Sequence, residues 1–123
     1  MRIKGKIWLE DADGNYLMGP RTARLLLAID ASGKLSDAAQ EAGFSYRAAW
    51  NRLKRVEASL GYPLVETTVG GSGGGSTCLS VQGRAVLEAF VNLEKQSKVW
   101  LERKAQQLNV HSIPSLSVKD DPA

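Results

Sequence analysis

The stretch RAAWNRLKR, residues 47–55, contains four basic side chains and one asparagine but no acidic residue. On an α-helix, which turns by about 100° per residue, Arg47, Asn51 and Lys54 lie on one face with Arg55 beside them. Arginine pairs bidentately with guanine, asparagine pairs with adenine, and lysine binds phosphate. These residue types at this spacing indicate a helix that contacts double-stranded DNA, whereas a merely solvated basic surface is the alternative.

The opposite face of the same helix is apolar, and a tryptophan borders the basic face. Trp50 is expected to be exposed, and either packing under the next element or contact with sugar and thymine methyl groups would explain it. We include Trp50 among the expected DNA-binding residues. The stripe that must face the core consists of Ala49, Leu53, Val56 and Leu60.

Other kinds of chemistry have few candidates in this chain. The single cysteine, Cys78, cannot form an internal disulfide, and the single histidine, His111, lies in a polar tail. No Ser/His/Asp or Cys/His set can be assembled, so we expect neither an enzyme nor a bound metal or cofactor. Cys78 is predicted to be a small buried residue of a strand, because its sequence neighbours would not activate the thiol.

Composition is typical of a soluble single domain. The chain has 123 residues, of which 43% are hydrophobic and 24% charged, with a net charge of +3 and a pI near 9.2. No apolar run approaches the roughly 18 residues that cross a bilayer, and the N-terminus lacks the apolar core of a signal peptide. We therefore expect a cytoplasmic protein with no membrane partner.

The N-terminal residues predict a β-hairpin over residues 2–18. Apolar and polar side chains alternate before the string DADGN, residues 11–15, which supplies the turn. A calcium loop is the alternative, but Gly14 comes two positions early and no glutamate closes the loop. Pro20 then suits the first turn of a helix that ends at Gly33.

Two short helices separated by Gly-Phe-Ser form a helix-turn-helix pattern over residues 35–60. Ser36 is the predicted N-cap of the first, and Ser45 is the predicted N-cap of the second. Alanines along the first helix allow a close crossing, and Gly43 gives the backbone freedom that a sharp turn requires. A plain αα-hairpin is the alternative.

The sequence VGGSGGGS, residues 69–76, lies between two short extended segments and precedes another helix. Strand, glycine loop, strand and helix after a helix-turn-helix predict a wing over residues 63–79. A Walker A loop is excluded because Ser76 stands where the lysine must be. A flexible tether is disfavoured because the part that follows is too short to hold its own core. The residues predicted to contact the DNA backbone are Gly71, Ser72, Gly73, Gly74, Ser76 and Thr77.

A long helix over residues 81–108, about 42 Å in length, follows the winged helix-turn-helix domain of residues 1–80. Its outer half would expose apolar side chains unless another chain covers them, so we predict a symmetric homodimer. A fraying monomeric helix is the alternative, because Glu94 and Lys98 interrupt the apolar seam. Residues 109–123 are predicted to be a disordered tail. The predicted dimer contacts are Leu87, Phe90, Val91, Trp100, Leu101 and Leu108.

Residues 42–87, AGFSYRAAWNRLKRVEASLGYPLVETTVGGSGGGSTCLSVQGRAVL, closely resemble the N-terminal DNA-binding domain of the bacterial ModE family. These molybdate-responsive regulators are a branch of the LysR-like winged helices. The shared features are the Ser-Tyr-Arg-x-x-Trp opening of the third helix, the Leu-Val-Glu strand, the glycine wing and the Leu-Ser-x-x-Gly motif before the long helix. The resemblance covers about residues 20–108.

The resemblance implies an α+β fold, a winged helix-turn-helix that dimerises through its long helices and binds operator DNA. It also implies that Ser45, Tyr46, Arg47, Trp50 and Asn51 face the major groove and that the wing glycines face the backbone. Full-length relatives carry C-terminal oxyanion-binding domains, whereas about fifteen residues follow the long helix here. We therefore expect a regulator linked to molybdate or tungstate genes that holds no oxyanion itself and whose effector partner is unknown.

Two classes of function remain at this point. The first is a homodimeric, sequence-specific transcription regulator whose partner is double-stranded DNA. The second is a winged-helix protein-interaction module that binds no DNA, with Trp50 and Trp100 as anchors. Single-stranded nucleic acid is a minor variant of the first, disfavoured because aromatic residues are few and scattered.

Overall fold

A computed structural model describes residues 1–70 and 75–112. Within these ranges the chain forms four α-helices and two antiparallel two-stranded sheets. The elements in chain order are β1 (Leu9–Glu10), β2 (Tyr16–Met18), α1 (Pro20–Ser32), α2 (Leu35–Ala42), α3 (Tyr46–Leu60), β3 (Val65–Thr68), β4 (Ser76–Leu79), α4 (Val81–Gln107) and a 3-10 turn (Val110–Ser112). This order confirms the predicted α+β fold, a winged helix-turn-helix with an N-terminal hairpin and a long last helix.

The N-terminal hairpin is shorter than predicted. Its turn forms as expected, because the Asp11 carboxylate accepts the backbone N–H groups of Asp13 and Asn15 at 2.9 Å each. The first strand, however, begins at Leu9 rather than at residue 2. Since β2 has only three residues before Pro20 starts α1, residues 1–8 find no partner strand and lie instead beside the outer half of α4.

The helix-turn-helix packs on α1, which contributes the centre of the core. Leu25, Leu26 and Ile29 of α1 are fully buried. Small side chains on α2 allow the close crossing that was predicted, since Ala38 and Ala39 are buried as well. The other helices and the wing strands complete this core with Phe44, Leu53, Val56, Leu64, Leu79 and Phe90.

The start of α2 differs from the prediction. The N-cap is Lys34 rather than Ser36, and its side chain makes no capping hydrogen bond. A hydroxyl two residues before Lys34 closes the turn instead: that of Ser32 accepts the N–H of Lys34 and donates to its carbonyl. Burial of Leu35 in the core requires the helix to begin there.

The turn between α2 and α3 forms as predicted. Gly43 has a φ of 80°, in the left-handed region that favours glycine. Its N–H group bonds back to α2, and the N–H of Phe44 donates to the carbonyl of Ala39 at 2.8 Å. The Ser45 hydroxyl then accepts the N–H of Ala48 at 3.1 Å and caps α3. These local bonds fix the angle at which α3 leaves the core.

The base of the wing is joined to α4 by backbone contacts. The Ser80 hydroxyl caps α4 by accepting the N–H of Gly83 at 2.9 Å and donates to the carbonyl of Pro63 at 2.6 Å. The backbone N–H of Ser80 donates to the carbonyl of Leu64 at 2.9 Å. Gly83 lies so close to the Leu64 backbone that a Cβ atom would overlap it. We call this set, Pro63, Leu64, Ser80 and Gly83, the wing–helix joint.

The two halves of α4 have different surroundings. In the inner half, Leu87 and Phe90 lie in the core, and Arg84 donates to Asp30 of α1 at 2.7 Å. This bond raises the pKa of the Arg84 guanidinium. The outer half extends beyond the core. None of the helices in the described part of the chain is long and apolar enough to cross a membrane. The predicted tail is described only to Ser112, and residues 113–123 lie outside the described ranges.

Candidate nucleic-acid interface

The exposed face of α3 carries the side chains that the sequence predicted. Ala49, Leu53 and Val56 are buried, which turns the opposite face of the helix to solvent. Tyr46 is 58% exposed and Trp50 is 37% exposed. The remaining predicted DNA-binding residues on this helix and its cap are all exposed, namely Ser45, Arg47, Asn51, Lys54 and Arg55.

Trp50 has a partner within its own helix. The Lys54 ammonium lies 4.4 Å from the centroid of the Trp50 ring and 3.2 Å from Oε1 of Glu57. An exposed cation–π contact contributes about 0.5–1 kcal/mol. The Lys54 side chain is 51% exposed but that of Glu57 only 12%, so leaving Glu57 for a phosphate costs more than breaking a fully exposed ion pair. When Lys54 leaves, the Trp50 ring is free to contact a ligand.

Glu57 is a residue that the sequence reasoning missed. Its second carboxylate oxygen, Oε2, accepts the backbone N–H of Leu64 at 2.8 Å and that of Val65 at 3.4 Å. These bonds tie the first strand of the wing to the last turn of α3. The sequence did offer one sign of this role. Glu57 lies next to the apolar stripe of α3, so its carboxylate is turned toward the segment that follows the helix.

The wing strands pair as predicted, but the middle of the wing lies outside the described residues. Thr68 pairs with Ser76 at the open end of the ladder, and their hydroxyl oxygens are 2.5 Å apart. Gly75 lies so close to the carbonyl of Thr68 that a Cβ atom on it would be 2.5 Å from that oxygen. Ser76 is exposed, as its predicted role requires. The predicted backbone contacts Gly71, Ser72, Gly73 and Gly74 are not among the described residues.

Two predictions about β4 are wrong because the strand presents the other face. Thr77, predicted to contact DNA, is only 6% exposed, whereas Cys78, predicted to be buried, is exposed. The N–H of Thr77 donates to the carbonyl of Gly33 at 2.8 Å, which turns this side of the strand toward the α1–α2 connection. Alternation then buries Thr77 with Leu79 and exposes Cys78 between them.

A hydroxyl-rich cavity of about 350 Å³ lies between the wing base and the start of α2. Lys34 and Ser36 line it from α2, Tyr46 from α3, and Thr68 and Ser76 from the wing. The first N–H groups of α2 lack a side-chain cap and bear the positive end of the helix dipole. This side of α3 therefore offers donors and a positive charge to a phosphate group.

The predicted dimer contacts on α4 fall into two groups. Leu87 and Phe90 are only 4% and 1% exposed, so the prediction that they contact a second chain is wrong. The spacing located an apolar face, but α1 and the wing of the same chain cover it. Val91 and Leu101 are half-buried, whereas Trp100 and Leu108 are exposed. Leu93 and Val99, which were not predicted, are exposed as well.

The chain matches a known protein family over these elements. The family described as "Bacterial regulatory helix-turn-helix protein, lysR family" matches residues 20–84. This span contains the three helices of the core, both wing strands and the first turn of α4.

Similar curated proteins have names connected with molybdenum. The molybdenum transport protein ModE of Herbaspirillum seropedicae is 34% identical over 102 residues, which cover 83% of this chain and 37% of that protein. The DNA-binding transcriptional dual regulator ModE of Escherichia coli K12 is 35% identical over 71 residues, which cover 58% of this chain and 27% of that protein. The resemblance to ModE is thereby confirmed, and the chain spans about a third of the length of these relatives.

Two solved structures with a similar fold are complexes with DNA. The CbnR_DBD–DNA complex superposes with a TM-score of 0.55 and 22% identity, covering 71% of this chain and 94% of that chain. Full-length CbnR complexed with its target DNA gives a TM-score of 0.53 and 22% identity, covering 69% and 28%. At this identity the likeness bears on the fold alone, which it confirms.

Proposed function

Because the chain belongs to the lysR family of bacterial regulatory helix-turn-helix proteins, we propose that it regulates transcription as a sequence-specific, homodimeric reader of double-stranded DNA. Residues 1–80 are the DNA-binding unit in this proposal, and residues 81–108 link it to a second copy. Helix α3 enters the major groove, and the wing follows the neighbouring sugar–phosphate backbone.

The observation that carries the proposal is the exposed face of α3. Arg47, Asn51 and Lys54 are exposed together while the apolar stripe of the helix is fully used by the core. Arg47 and Asn51 have the geometry of bidentate partners for guanine and adenine, which gives base-specific contacts. Lys54 lies between Trp50 and Glu57 and supplies a positive charge for phosphate.

The wing side of α3 supports backbone contacts. Lys34 and Ser36 lie beside the uncapped start of α2, and Tyr46 and Ser76 line the same cavity. Such contacts position the protein on the duplex without selecting a sequence. The wing residues Gly71, Ser72, Gly73 and Gly74 extend this line of contacts in the proposal.

The outer half of α4 is the proposed dimer interface. Trp100 is 55% exposed, Val99 54% and Leu93 44%, on a segment that leaves the core. Apolar side chains of this size gain free energy when a second chain covers them. A two-fold dimer would place two copies of α3 on half-sites separated by roughly 34 Å or a multiple of it.

The names of the relatives suggest which genes are regulated. They include molybdenum transport proteins and a DNA-binding transcriptional dual regulator. We propose that this chain acts on promoters of molybdate- or tungstate-related genes.

The test is selection of bound sequences from a pool of random duplex DNA, repeated at rising salt concentration. We expect an enriched near-palindrome and an affinity that falls steeply with salt. Arg47→Ala should relax the preference at one base pair, whereas Lys54→Ala should weaken binding to all sequences about equally. Absence of enrichment together with a flat salt response would overturn the proposal and favour a protein-binding module.

A further inference from the structure

A basic cavity lies on the side of α3 that faces away from the wing. It has a volume of about 430 Å³ and opens beside Ser45 and Asn51. Both residues belong to the proposed reading face, by which we mean the exposed side of α3 that carries Arg47, Asn51 and Lys54 and begins at its cap Ser45. Three arginines line the cavity: Arg21 from the first turn of α1, and Arg52 and Arg55 from α3. Among them, only Arg55 was predicted from the sequence to contact DNA.

Two of these arginines are held in place by aromatic rings. The Arg21 guanidinium carbon lies 4.3 Å from the centroid of Phe44, and its Nη2 donates to the Gly43 carbonyl at 3.4 Å. The Arg52 guanidinium carbon lies 5.7 Å from Phe44 and 5.9 Å from Tyr16. A guanidinium stacked on a ring keeps the N–H groups at its edge free for an anion.

The charge of this cluster is not neutralised within the described residues. Over residues 1–70 and 75–112, the ion pairs are Lys54–Glu57 and Arg84–Asp30, and neither includes an arginine of the cavity. The cavity therefore combines three guanidinium groups that have no ion-pair partner in the described residues, an arrangement that favours a phosphate group.

The position of the cavity matches the geometry of a groove. On one flank of α3, Tyr46 and Glu57 contact or face the wing. On the other flank, Arg52 and Arg55 face the cavity. A helix in the major groove, which is about 12 Å wide, has a phosphate backbone on each side. In the proposed complex the wing contacts one of these phosphate backbones, and the arginine cavity lies on the side of α3 that faces the other.

We propose that Arg21, Arg52 and Arg55 bind a phosphate of the DNA strand opposite the wing, so that α3 is held from both sides of the groove. The inference rests on the proposed DNA binding and adds to it a second anchoring site. Arg21 is the decisive residue, since it belongs to α1 and lies outside the reading helix. It fixes the depth and tilt of α3 in the groove and does not contribute to the choice of sequence.

The experiment compares Arg21→Ala with Arg24→Ala, which removes the same charge from an exposed position of α1 outside the cavity. Affinity for the selected duplex is measured over a series of salt concentrations. We expect Arg21→Ala to weaken binding about tenfold at moderate salt. The slope of log affinity against log salt should fall by about 0.9, the value for one phosphate contact. The preferred sequence should stay the same, and Arg24→Ala should change neither quantity.

Two further variants keep the result interpretable. Arg55→Ala has no stacking or ion-pair partner to lose in the described residues, so its fold is preserved, and it should lower the salt slope by a similar amount. Arg21→Lys retains the charge without the planar stack and should bind between wild type and Arg21→Ala.

The possible failures are distinguishable. If the wild-type protein bound no duplex, the proposed function itself would fail. If it bound duplex but Arg21→Ala and Arg55→Ala left both affinity and salt slope unchanged, the arginine cavity alone would be refuted. Stabilisation of the wild type by inorganic phosphate at constant ionic strength, lost in Arg21→Ala without any effect on duplex binding, would assign the cavity to a free anion and also overturn the inference.

Discussion

Helices α3 and α4 are both amphipathic, yet their exposed faces differ in kind. The apolar stripe of α3 is covered by its own chain, and the exposed side carries Arg47, Asn51, Lys54 and Arg55 beside the rings of Tyr46 and Trp50. The apolar residues of α4 continue past the core, and Leu93, Val99 and Trp100 stay exposed. A polar exposed face suits a charged partner such as DNA, whereas an apolar one suits a second protein chain. The same helical periodicity thus leads to two kinds of interface.

The sharpest division lies within α4, between neighbouring turns. Phe90→Ala should lower the free energy of unfolding by about 3–5 kcal/mol, because it opens a cavity in the core. Leu93→Ala, one turn along and 44% exposed in the single chain, should change it by less than about 0.5 kcal/mol at a protein concentration low enough to keep the chain monomeric. Denaturant unfolding of both variants measures the difference. Equal losses would show that the boundary between core and free helix lies further out.

The outer half of α4 is tested by its largest exposed side chain. Trp100→Ala should weaken self-association by about 2 kcal/mol, as expected for an aromatic residue central to an interface. Glu88→Ala, at an exposed position in the inner half of α4 and outside the proposed interface, is the control and should have little effect. Sedimentation equilibrium over a range of concentrations gives both dissociation constants. A Trp100→Ala protein that dimerises like the wild type would place the interface elsewhere.

Substitution of the N-cap of α3 measures how much this local signal contributes to the stability of the fold. The Ser45 hydroxyl caps the helix by accepting the N–H of Ala48. Ser45→Ala should lower the free energy of unfolding by about 1 kcal/mol, whereas Ser45→Asp should retain the cap. Thermal unfolding of the two variants gives the comparison. Equal stability of Ser45→Ala and wild type would mean that packing alone starts α3.

The smallest effect is expected at the hairpin turn between β1 and β2. Backbone hydrogen bonds, led by the N–H of Asn15, lower the pKa of Asp11. Its stabilising effect is therefore complete above the ordinary aspartate pKa and is lost as pH falls through the lowered value. Asp11→Ala should slightly lower the melting temperature at neutral pH, by less than Ser45→Ala does. The difference from wild type should vanish in acid, and a difference that persists there would exclude the carboxylate as its cause.

The sequence predicted those parts of the fold that depend on local signals. The Ser45 cap, the positive φ at Gly43 and the glycine end of α3 at Gly61 are each determined within a few residues. The exposed face of α3 followed from periodicity in the same way. These features include most of the reading face of the candidate site.

The predictions were wrong where the local sequence allows two arrangements and a contact between distant residues determines which one forms. Alternation along β4 was evident, but its phase depends on the hydrogen bond between Thr77 and Gly33. The apolar face of α4 was evident too, but whether Phe90 meets its own chain or another depends on the length of the core. The stacking of Arg21 on Phe44 joins residues from separate elements, so the sequence offered no sign of the arginine cavity.

The wing–helix joint makes the base of the wing and α4 one rigid unit. The Ser80 hydroxyl, the Ser80 N–H and the close approach of Gly83 together fix the first turn of the helix to the backbone at Pro63 and Leu64. The arm beyond it has 27 residues and a length of about 40 Å. If two such helices crossed near Trp100, about 29 Å from the joint, a tilt of about 7° would displace each wing by about 3.5 Å, close to the rise of one base pair. In the proposed dimer, the angle between the two α4 helices would therefore set the distance between the two α3 helices that contact the half-sites.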